Sequence, residues 1–180
     1  NVIITGRSEE KLLSASKELR KSKDCFIDIL LIDQLDVNSV IKGCETAFNK
    51  YDVDFWINCA GIITEMDRKR RFIGTQLDQY LKVMNTNFKS ISIACKEAYL
   101  FMKKRNGGHI INIASMAGII PSFGYTAYGI SKCAVINLTR SYFKDCESNV
   151  NVTAIAPGIV VTRMGNLKFG DNIANTYTVS

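Results

Sequence analysis

Residues 109–132 read HIINIASMAGIIPSFGYTAYGISK, a stretch that opens with a short apolar run and ends in the first turns of a long amphipathic segment. The run from His109 to Ile113 is short and rich in isoleucine, which favours a buried β-strand. The segment from about Thr126 to Cys146 spaces its apolar residues as one face of an α-helix does. We therefore interpret this stretch as one strand-to-helix unit.

The same alternation extends outward from this unit in both directions. Strands and helices of these lengths in alternation imply parallel strands joined by right-handed crossovers. We expect an α/β fold built on a doubly wound, Rossmann-like parallel sheet with three α/β/α layers, in which residues 1–180 form a single domain. The other predicted strands are Val2–Thr5, Phe26–Ile32, Val53–Ile57 and Val150–Ile155, and the other predicted helices lie within residues 6–22, 37–50 and 77–104.

Composition limits the class of protein and its partners. With 180 residues, 47% hydrophobic and 22% charged, the chain has the composition of one globular domain, not of a disordered or collagen-like polymer. Its apolar runs are far shorter than the roughly 20 residues that a membrane-spanning helix needs, so no membrane span is expected. The net charge of +6 is scattered, and the one dense basic cluster, Arg68–Arg71, has no interleaved aromatic residues. A solvated loop is expected there, with no nucleic-acid partner.

The cysteine and histidine content predicts neither disulfides nor a metal site. The six cysteines contain no C-x-x-C pair, so we interpret them as buried small hydrophobic residues in a reducing compartment, the cytoplasm. His109 is the only histidine and precedes a strand, which favours a structural role.

Polar or small residues follow the first and third predicted strands, at the sheet edge where such folds bind ligands. No acidic residue directly follows the first strand; instead Arg7 offers a planar cation and Ser8 begins a helix, which suits the 2'-phosphate of a nucleotide. A simple surface cation is the alternative. After the third strand, the small Ala60–Gly61 step lets the backbone approach a ligand closely. An ordinary tight turn is the alternative there.

The fourth strand delivers Ser115 to the same edge, and Tyr128 and Lys132 follow one helical turn apart on one helix face. Tyr99 and Lys103 have the same spacing in the middle of a helix, where ordinary packing is expected. Tyr128 differs because it lies at the start of its helix, at the strand end that carries Ser115. The Tyr–Lys spacing therefore indicates a functional pair at Tyr128 and Lys132 but not at Tyr99 and Lys103.

These three side chains have a chemical interpretation. A tyrosine ionises near pH 10 in water, and lowering that value by about three units takes roughly 4 kcal/mol. An ammonium group ~4 to 5 Å away supplies on the order of 3 to 4 kcal/mol at an effective dielectric constant near 20. Lys132 would therefore activate Tyr128 to exchange a proton, Ser115 would hydrogen-bond the substrate oxygen, and a nicotinamide would exchange the hydride.

In their order and spacing, seven motifs resemble the short-chain dehydrogenase/reductase family of the classical type, over nearly the whole chain. The resemblance implies an oxidoreductase that transfers a hydride between NADP(H) and a carbonyl or secondary alcohol, with NAD(H) less favoured. It also implies a homodimer or homotetramer assembled through the two long helices. The motifs are ITGRSEEKL (4–12), LDV (35–37), NCAG (58–61), MNTNFKS (84–90), HIINIAS (109–115), YGISK (128–132) and APGIVVT (156–162).

The resemblance also assigns roles to individual residues. Asn87 would interrupt its helix and hold a water that links Lys132 to solvent, and Lys132 would also bind the nicotinamide ribose. Asp36 and Val37 would flank the adenine. The implied catalytic residues are Asn87, Ser115, Tyr128 and Lys132. The implied cofactor contacts are Arg7, Ser8, Asp36, Val37, Asn58, Ala60, Gly61, Tyr128, Lys132, Pro157, Gly158, Val160 and Thr162, and the implied substrate contacts are Ser115, Met116, Tyr125 and Tyr128.

Two departures from the family pattern carry expectations of their own. Cys59 replaces the second Asn of N-N-A-G, which removes one side-chain amide. The family's first strand and its glycine-rich pyrophosphate loop precede Asn1 in the pattern, and the last helix and strand follow Ser180. The domain is thus expected to be incomplete at both ends, with a gap in the sheet between the strands ending near Thr5 and Ile57. We expect the isolated 180-residue polypeptide to bind NADPH poorly; a near-native dissociation constant from calorimetry would refute this.

Two other functions remain open at this stage. One is a catalytically idle family member that serves as a nucleotide sensor or interaction module, which would not need all four catalytic groups. The other is a different doubly wound domain such as a methyltransferase, which predicts binding of S-adenosylmethionine and leaves the spacing of Ser115 and Tyr128 unexplained.

Overall fold

The computed structural model describes residues 1–22, 25–63, 76–105, 107–120, 124–145, 149–160, 162 and 164, and shows five strands in alternation with helices. The predicted order of elements is confirmed, with end points that differ by one or two residues. The strands are β1 (Val2–Gly6), β2 (Ile27–Leu31), β3 (Phe55–Asn58), β4 (Gly108–Ile113) and β5 (Val150–Ile155). The helices are α1 (Glu9–Ser22), α2 (Val37–Lys50), α3 (Leu77–Met84), α4 (Ser90–Lys103) and α5 (Thr126–Asp145).

All described strand pairs are parallel, as expected, but they form two sheets instead of one. β1 pairs with β2, while β3, β4 and β5 pair in that order. A cleft of about 410 Å³ lies between the two sheets, lined by Thr5 of β1 and Trp56 of β3 among others. No described strand bridges β1 and β3, which is where the family pattern predicts a gap.

The core lies on one face of the sheet formed by β3, β4 and β5, beneath α2, α4 and α5. Phe55, Ile57 and Ile155 on the opposite face are 62%, 56% and 48% exposed. No helix in the described ranges covers this face of the sheet formed by β3, β4 and β5. The main core consists of Phe48, Ile91, Cys95, Ala98, Met102, Ile110, Ala114, Val135, Val150 and Val152.

Most of the additional apolar side chains on α4 and α5 pack within this chain. Phe101, Ile136 and Tyr142 pack against the main core, and Ile93 packs against a second cluster around Val40. The sequence alone left this surface open between core and subunit interface. Phe143 remains 72% exposed.

The predicted helix over residues 77–104 is interrupted as expected for Asn87. A π-helical turn, Asn85–Lys89, joins α3 to α4. Such a turn inserts one extra residue per turn and often marks a functional site. It places the fully buried Asn87 side chain towards the sheet edge where β3 ends.

The predictions drawn from composition have different outcomes in the structure. None of the helices in the described ranges is long and apolar enough to cross a membrane, and no group of potential metal ligands occurs among the described residues. Cys44 and Cys95 are buried thiols, but Cys59 and Cys133 are exposed, because one lies in a loop and the other on the outer face of α5. The Arg68–Arg71 cluster and Cys146 lie outside the described residues.

Candidate active site

Ser115 begins the loop that follows β4 and has a defined hydrogen-bonding role. It caps the short 3-10 turn Met116–Gly118, and its Oγ accepts a hydrogen bond from the Ala117 amide at 3.2 Å. The amide of Met116 donates to the carbonyl of Pro157 at 3.0 Å, which joins this loop to the one after β5. This bond uses Oγ as an acceptor and leaves the hydroxyl hydrogen of Ser115 available to donate to a ligand.

The 3-10 turn after Ser115 packs directly on the backbone of α5. A Cβ atom on Gly118 would lie 2.6 Å from the carbonyl carbon of Lys132, closer than any side chain tolerates. Glycine is required there because two backbones approach each other. The structure thus brings the Ser115 loop onto the helix that bears Tyr128 and Lys132, as the sequence predicted.

Lys132 is buried, with 3% of its surface exposed, and its Nζ donates to the carbonyl of Ile113 at 2.7 Å. The Nζ lies 5.8 Å from the centroid of the Tyr128 ring, so the two side chains are neighbours. Burial lowers the pKa of Lys132 from 10.5 to about 8, and a smaller electrostatic effect of the nearby Cys59 acts in the opposite direction. The lysine is therefore held beside Tyr128 at a large desolvation cost.

Asn87 joins the loop after β3 to α5. Its Oδ1 accepts from the Ile62 amide at 2.7 Å, and its Nδ2 donates to the Ile62 carbonyl at 2.8 Å and to Ser131 Oγ at 3.1 Å. Both amide hydrogens are thus used by the protein. The water predicted to link Asn87 with Lys132 stays a prediction.

The NCAG segment approaches the catalytic side chains with its backbone. A Cβ on Gly61 would lie 3.5 Å from Lys132 Nζ and 3.6 Å from Asn87 Oδ1. Gly61 therefore lies next to two of the predicted catalytic groups, and Ala60 before it is exposed. The close approach to a ligand that these small residues predict stays a prediction.

Asn58 has a different orientation from the one its predicted ribose contact suggests. Its side chain is buried: Nδ2 donates to Asn112 Oδ1 at 2.8 Å, and Oδ1 accepts from Trp56 Nε1 at 2.9 Å. The last residue of β3 points its side chain into the core because β3 alternates its faces. Only the backbone of Asn58 is left for the predicted ribose contact.

The predicted adenosine side of the site lies at the ends of β1 and β2. Arg7 is exposed, and Ser8 Oγ accepts from the Lys11 amide at 3.4 Å, which confirms its predicted capping of α1. Asp36 caps α2 through Oδ1, which accepts from the Asn38 amide at 2.9 Å, and Val37 begins that helix. These groups lie at the strand ends that the family pattern assigns to the adenosine.

The remaining predicted contacts lie in the loops after β4 and β5. Val160 is 52% exposed, a Cβ on Gly158 would meet no atom within 4 Å, and Thr162 Oγ1 donates to the Val160 carbonyl at 3.4 Å. Met116 is 39% exposed, and the carbonyl of the partly buried Tyr125 accepts from the Gly129 amide at 2.8 Å. The open space around Gly158 leaves room for the predicted nicotinamide dinucleotide to approach the backbone of the loop after β5.

Two buried polar residues near the site were not identified from the sequence. Ser131, within YGISK, accepts from Asn87, and Asn112, within HIINIAS, accepts from Asn58. The available signal for Asn112 was a polar side chain on the inward face of an apolar strand. For Ser131 it was a hydroxyl three residues after Tyr128, the spacing at which serine bonds back to a helix carbonyl.

Comparisons with known proteins agree on the family. The family model described as short chain dehydrogenase matches residues 1–172. An uncharacterized oxidoreductase of Staphylococcus saprophyticus is 29% identical, with 89% of this chain and 68% of the relative covered. The 3-oxoacyl-[acyl-carrier-protein] reductase of Aquifex aeolicus is also 29% identical, with 91% and 65% covered.

Solved structures share the fold. The serine dehydrogenase of Escherichia coli superposes with a TM-score of 0.77 at 27% identity, covering 88% of this chain and 71% of that one. An actinorhodin polyketide ketoreductase variant solved with NADPH superposes with a TM-score of 0.84 at 24% identity, covering 99% and 68%. The likeness to the ketoreductase is a likeness of fold.

Proposed function

Because the chain belongs to the short-chain dehydrogenase family, we propose that it is an oxidoreductase that transfers a hydride between NADP(H) and a carbonyl or secondary alcohol. The observation that carries this proposal is the assembly of Ser115, Tyr128, Lys132 and Asn87 where β3 and β4 end. A nicotinamide, when bound, supplies or accepts the hydride at the substrate carbon. The side chains of this chain then handle the oxygen and its proton.

Each of these side chains has a distinct task in the proposed reduction. Ser115 donates a hydrogen bond from its hydroxyl to the carbonyl oxygen, because the bond from the Ala117 amide uses only Oγ as an acceptor. Tyr128 gives the same oxygen its proton, and the reverse transfer serves oxidation. The Lys132 ammonium beside the ring stabilises the tyrosinate that results, and Asn87 fixes the loop that passes Lys132.

A preference for NADP(H) is proposed on the residues after β1. Arg7 is exposed there, while Glu9 and Glu10 begin α1 and repel a nearby phosphate. An arginine is therefore needed to make a 2'-phosphate favourable at this helix end.

Replacing Arg7 with alanine tests that preference. We expect the KM for NADPH to rise by about 10- to 100-fold, since hydrogen bonds to charged groups contribute about 1.5 to 3 kcal/mol, while the KM for NADH changes little. Steady-state kinetics of the native protein with both cofactors measure this. Lys17→Ala, which removes an exposed cation farther along α1, is the control. Equal use of NADH and NADPH by the unaltered protein contradicts the assignment.

The reaction itself is tested by NADPH oxidation over a panel of carbonyl compounds, including acyl, steroid, retinoid and sugar-derived ones. The proposal expects turnover with at least one of them. The other candidate, a nucleotide sensor without chemistry, expects cofactor binding without turnover on the whole panel. The intact set of four catalytic side chains favours the enzyme.

Further parts of the proposal concern assembly and location. A homodimer or homotetramer is proposed through the long helices α4 and α5, on which Leu100 and Phe143 stay exposed. The five described cysteines are in the reduced thiol form, which fits a reducing compartment such as the cytoplasm.

A further inference from the structure

Ser131 is a fully buried hydroxyl in the first turns of α5, between two predicted catalytic residues. Its Oγ donates to the Tyr128 carbonyl at 2.7 Å and accepts from Asn87 Nδ2 at 3.1 Å. The site described above gives it no chemical task. Its two hydrogen bonds connect Asn87 to Tyr128, which lie on different helices.

Ser131 completes a continuous chain of hydrogen bonds across the site. The chain runs from the Ile62 backbone through the Asn87 side chain and the Ser131 hydroxyl to the Tyr128 backbone. Every residue linked by these hydrogen bonds is buried or partly buried. It joins the loop after β3, the π-helical turn and the first turn of α5.

We propose that Ser131 is a positioning residue for the proton-transfer step, through which Asn87 sets the placement of the Tyr128 turn beside Lys132. This inference rests on the proposed function and adds a residue to its site. Ser131 touches neither substrate nor cofactor in this role. It acts through the backbone of Tyr128 and the side chain of Asn87.

The physical reason is the sensitivity of proton transfer to geometry. Misplacing a reacting group by about 1 Å lowers a rate by up to about 100-fold. Without the Ser131 hydroxyl, one amide hydrogen of the fully buried Asn87 has no acceptor, so the amide must turn or move. Either change releases the Tyr128 turn from the loop after β3.

Another buried hydroxyl on α5 offers a matched control. Thr139 also has a buried hydroxyl, which donates to the Val135 carbonyl at 2.8 Å and accepts from Asn112 Nδ2 at 3.0 Å. Ser131 and Thr139 therefore have the same kind of bonding, with a carbonyl of their own helix and with an asparagine amide. Only Ser131 is bonded to Tyr128.

The test compares Ser131→Ala, Ser131→Thr and Thr139→Val in the native protein. We expect Ser131→Ala to lower kcat by about 10- to 100-fold while the KM for the cofactor stays within a factor of about three. Ser131→Thr keeps the hydroxyl and should restore most of kcat. Thr139→Val should lower thermal stability as much as Ser131→Ala but leave kcat near that of the parent.

A second measurement does not depend on turnover. The ring ¹³Cζ NMR signal of Tyr128, assigned through Tyr128→Phe, should move in Ser131→Ala and stay in place in Thr139→Val. If the native protein reduces no carbonyl, the proposed function fails, and the NMR signal still decides whether Ser131 places Tyr128. An unchanged kcat and an unmoved signal in Ser131→Ala, or equal losses in Thr139→Val, overturn the inference.

Discussion

Replacing Tyr128 with phenylalanine in the native protein is expected to lower kcat by about 10²- to 10⁴-fold, the usual contribution of a general acid or base. Phenylalanine keeps the ring beside Lys132 but has no hydroxyl to give the substrate oxygen its proton. Binding of NADPH should persist, because the predicted contacts at Arg7 and in the loops after β3 and β5 are untouched. Steady-state kinetics and calorimetric titration of NADPH measure the two quantities.

The chain contains its own control for this variant. Tyr99 and Lys103 repeat the spacing of Tyr128 and Lys132 on α4, where the Tyr99 ring packs edge-on against Tyr142 at 6.3 Å between centroids. Tyr99→Phe keeps that ring and should leave kcat unchanged. Retention of more than a tenth of the parent activity by Tyr128→Phe would show that another group moves the proton.

Replacing Lys132 with methionine is expected to change both activity and the pH dependence of stability. Turnover should fall by about 10²-fold or more, because the tyrosinate loses its neighbouring positive charge. Burial lowers the pKa of Lys132 to about 8 in the folded protein, against 10.5 for the exposed side chain. Between these two values the unfolded chain binds a proton that the folded chain does not.

The sign of the stability effect follows from that difference. In the parent, the contribution of Lys132 to the free energy of unfolding rises from pH 8 to pH 10.5, because the unfolded state binds more protons there. Below pH 8 the buried charge costs the folded state about 3 kcal/mol relative to an exposed lysine. Lys132→Met removes this cost. The difference in the free energy of unfolding, variant minus parent, should therefore be about 3 kcal/mol smaller at pH 10.5 than at pH 7.

Denaturant unfolding at several pH values measures this change. The Lys132→Met variant also leaves the Ile113 carbonyl without its donor, a penalty that does not depend on pH. The slope with pH is therefore the decisive quantity. Lys17→Met, at an exposed position of α1, should differ from the parent by the same amount at every pH. If the unfolding free energies of Lys132→Met and the parent run parallel with pH, then Lys132 is less desolvated in the folded protein than the structure indicates.

Local patterns were sufficient to predict the order of elements and to single out the candidate catalytic residues. The alternation of short apolar runs with amphipathic segments depends on burial periodicity, which is local in sequence, so β4, α5 and their neighbours could be placed from it. Tyr128 and Lys132 were found because four residues make one helical turn, and Ser115 because a parallel strand must end at the edge where α5 begins.

Other features depend on contacts between residues distant in the chain. The inward orientation of Asn58 depends on Asn112 and Trp56, and the exposure of Cys59 depends on the path of its loop. The burial of Phe101 and Ile136 depends on how α4 and α5 pack over the sheet. No pattern within a single element contains this information.

By itself, the sequence determined that this chain forms parallel strand and helix units and carries a serine, a tyrosine and a lysine at one edge of the sheet. Those properties follow from periodicity and from short spacings along one element. Only the tertiary structure decided that Lys132 is buried against the Ile113 carbonyl, and that Ser131 connects Asn87 to Tyr128. The physical reason is that desolvation and hydrogen-bond partnership are set by groups far apart in the sequence, such as Asn87 and Ser131 at 44 residues, which meet only when the elements pack.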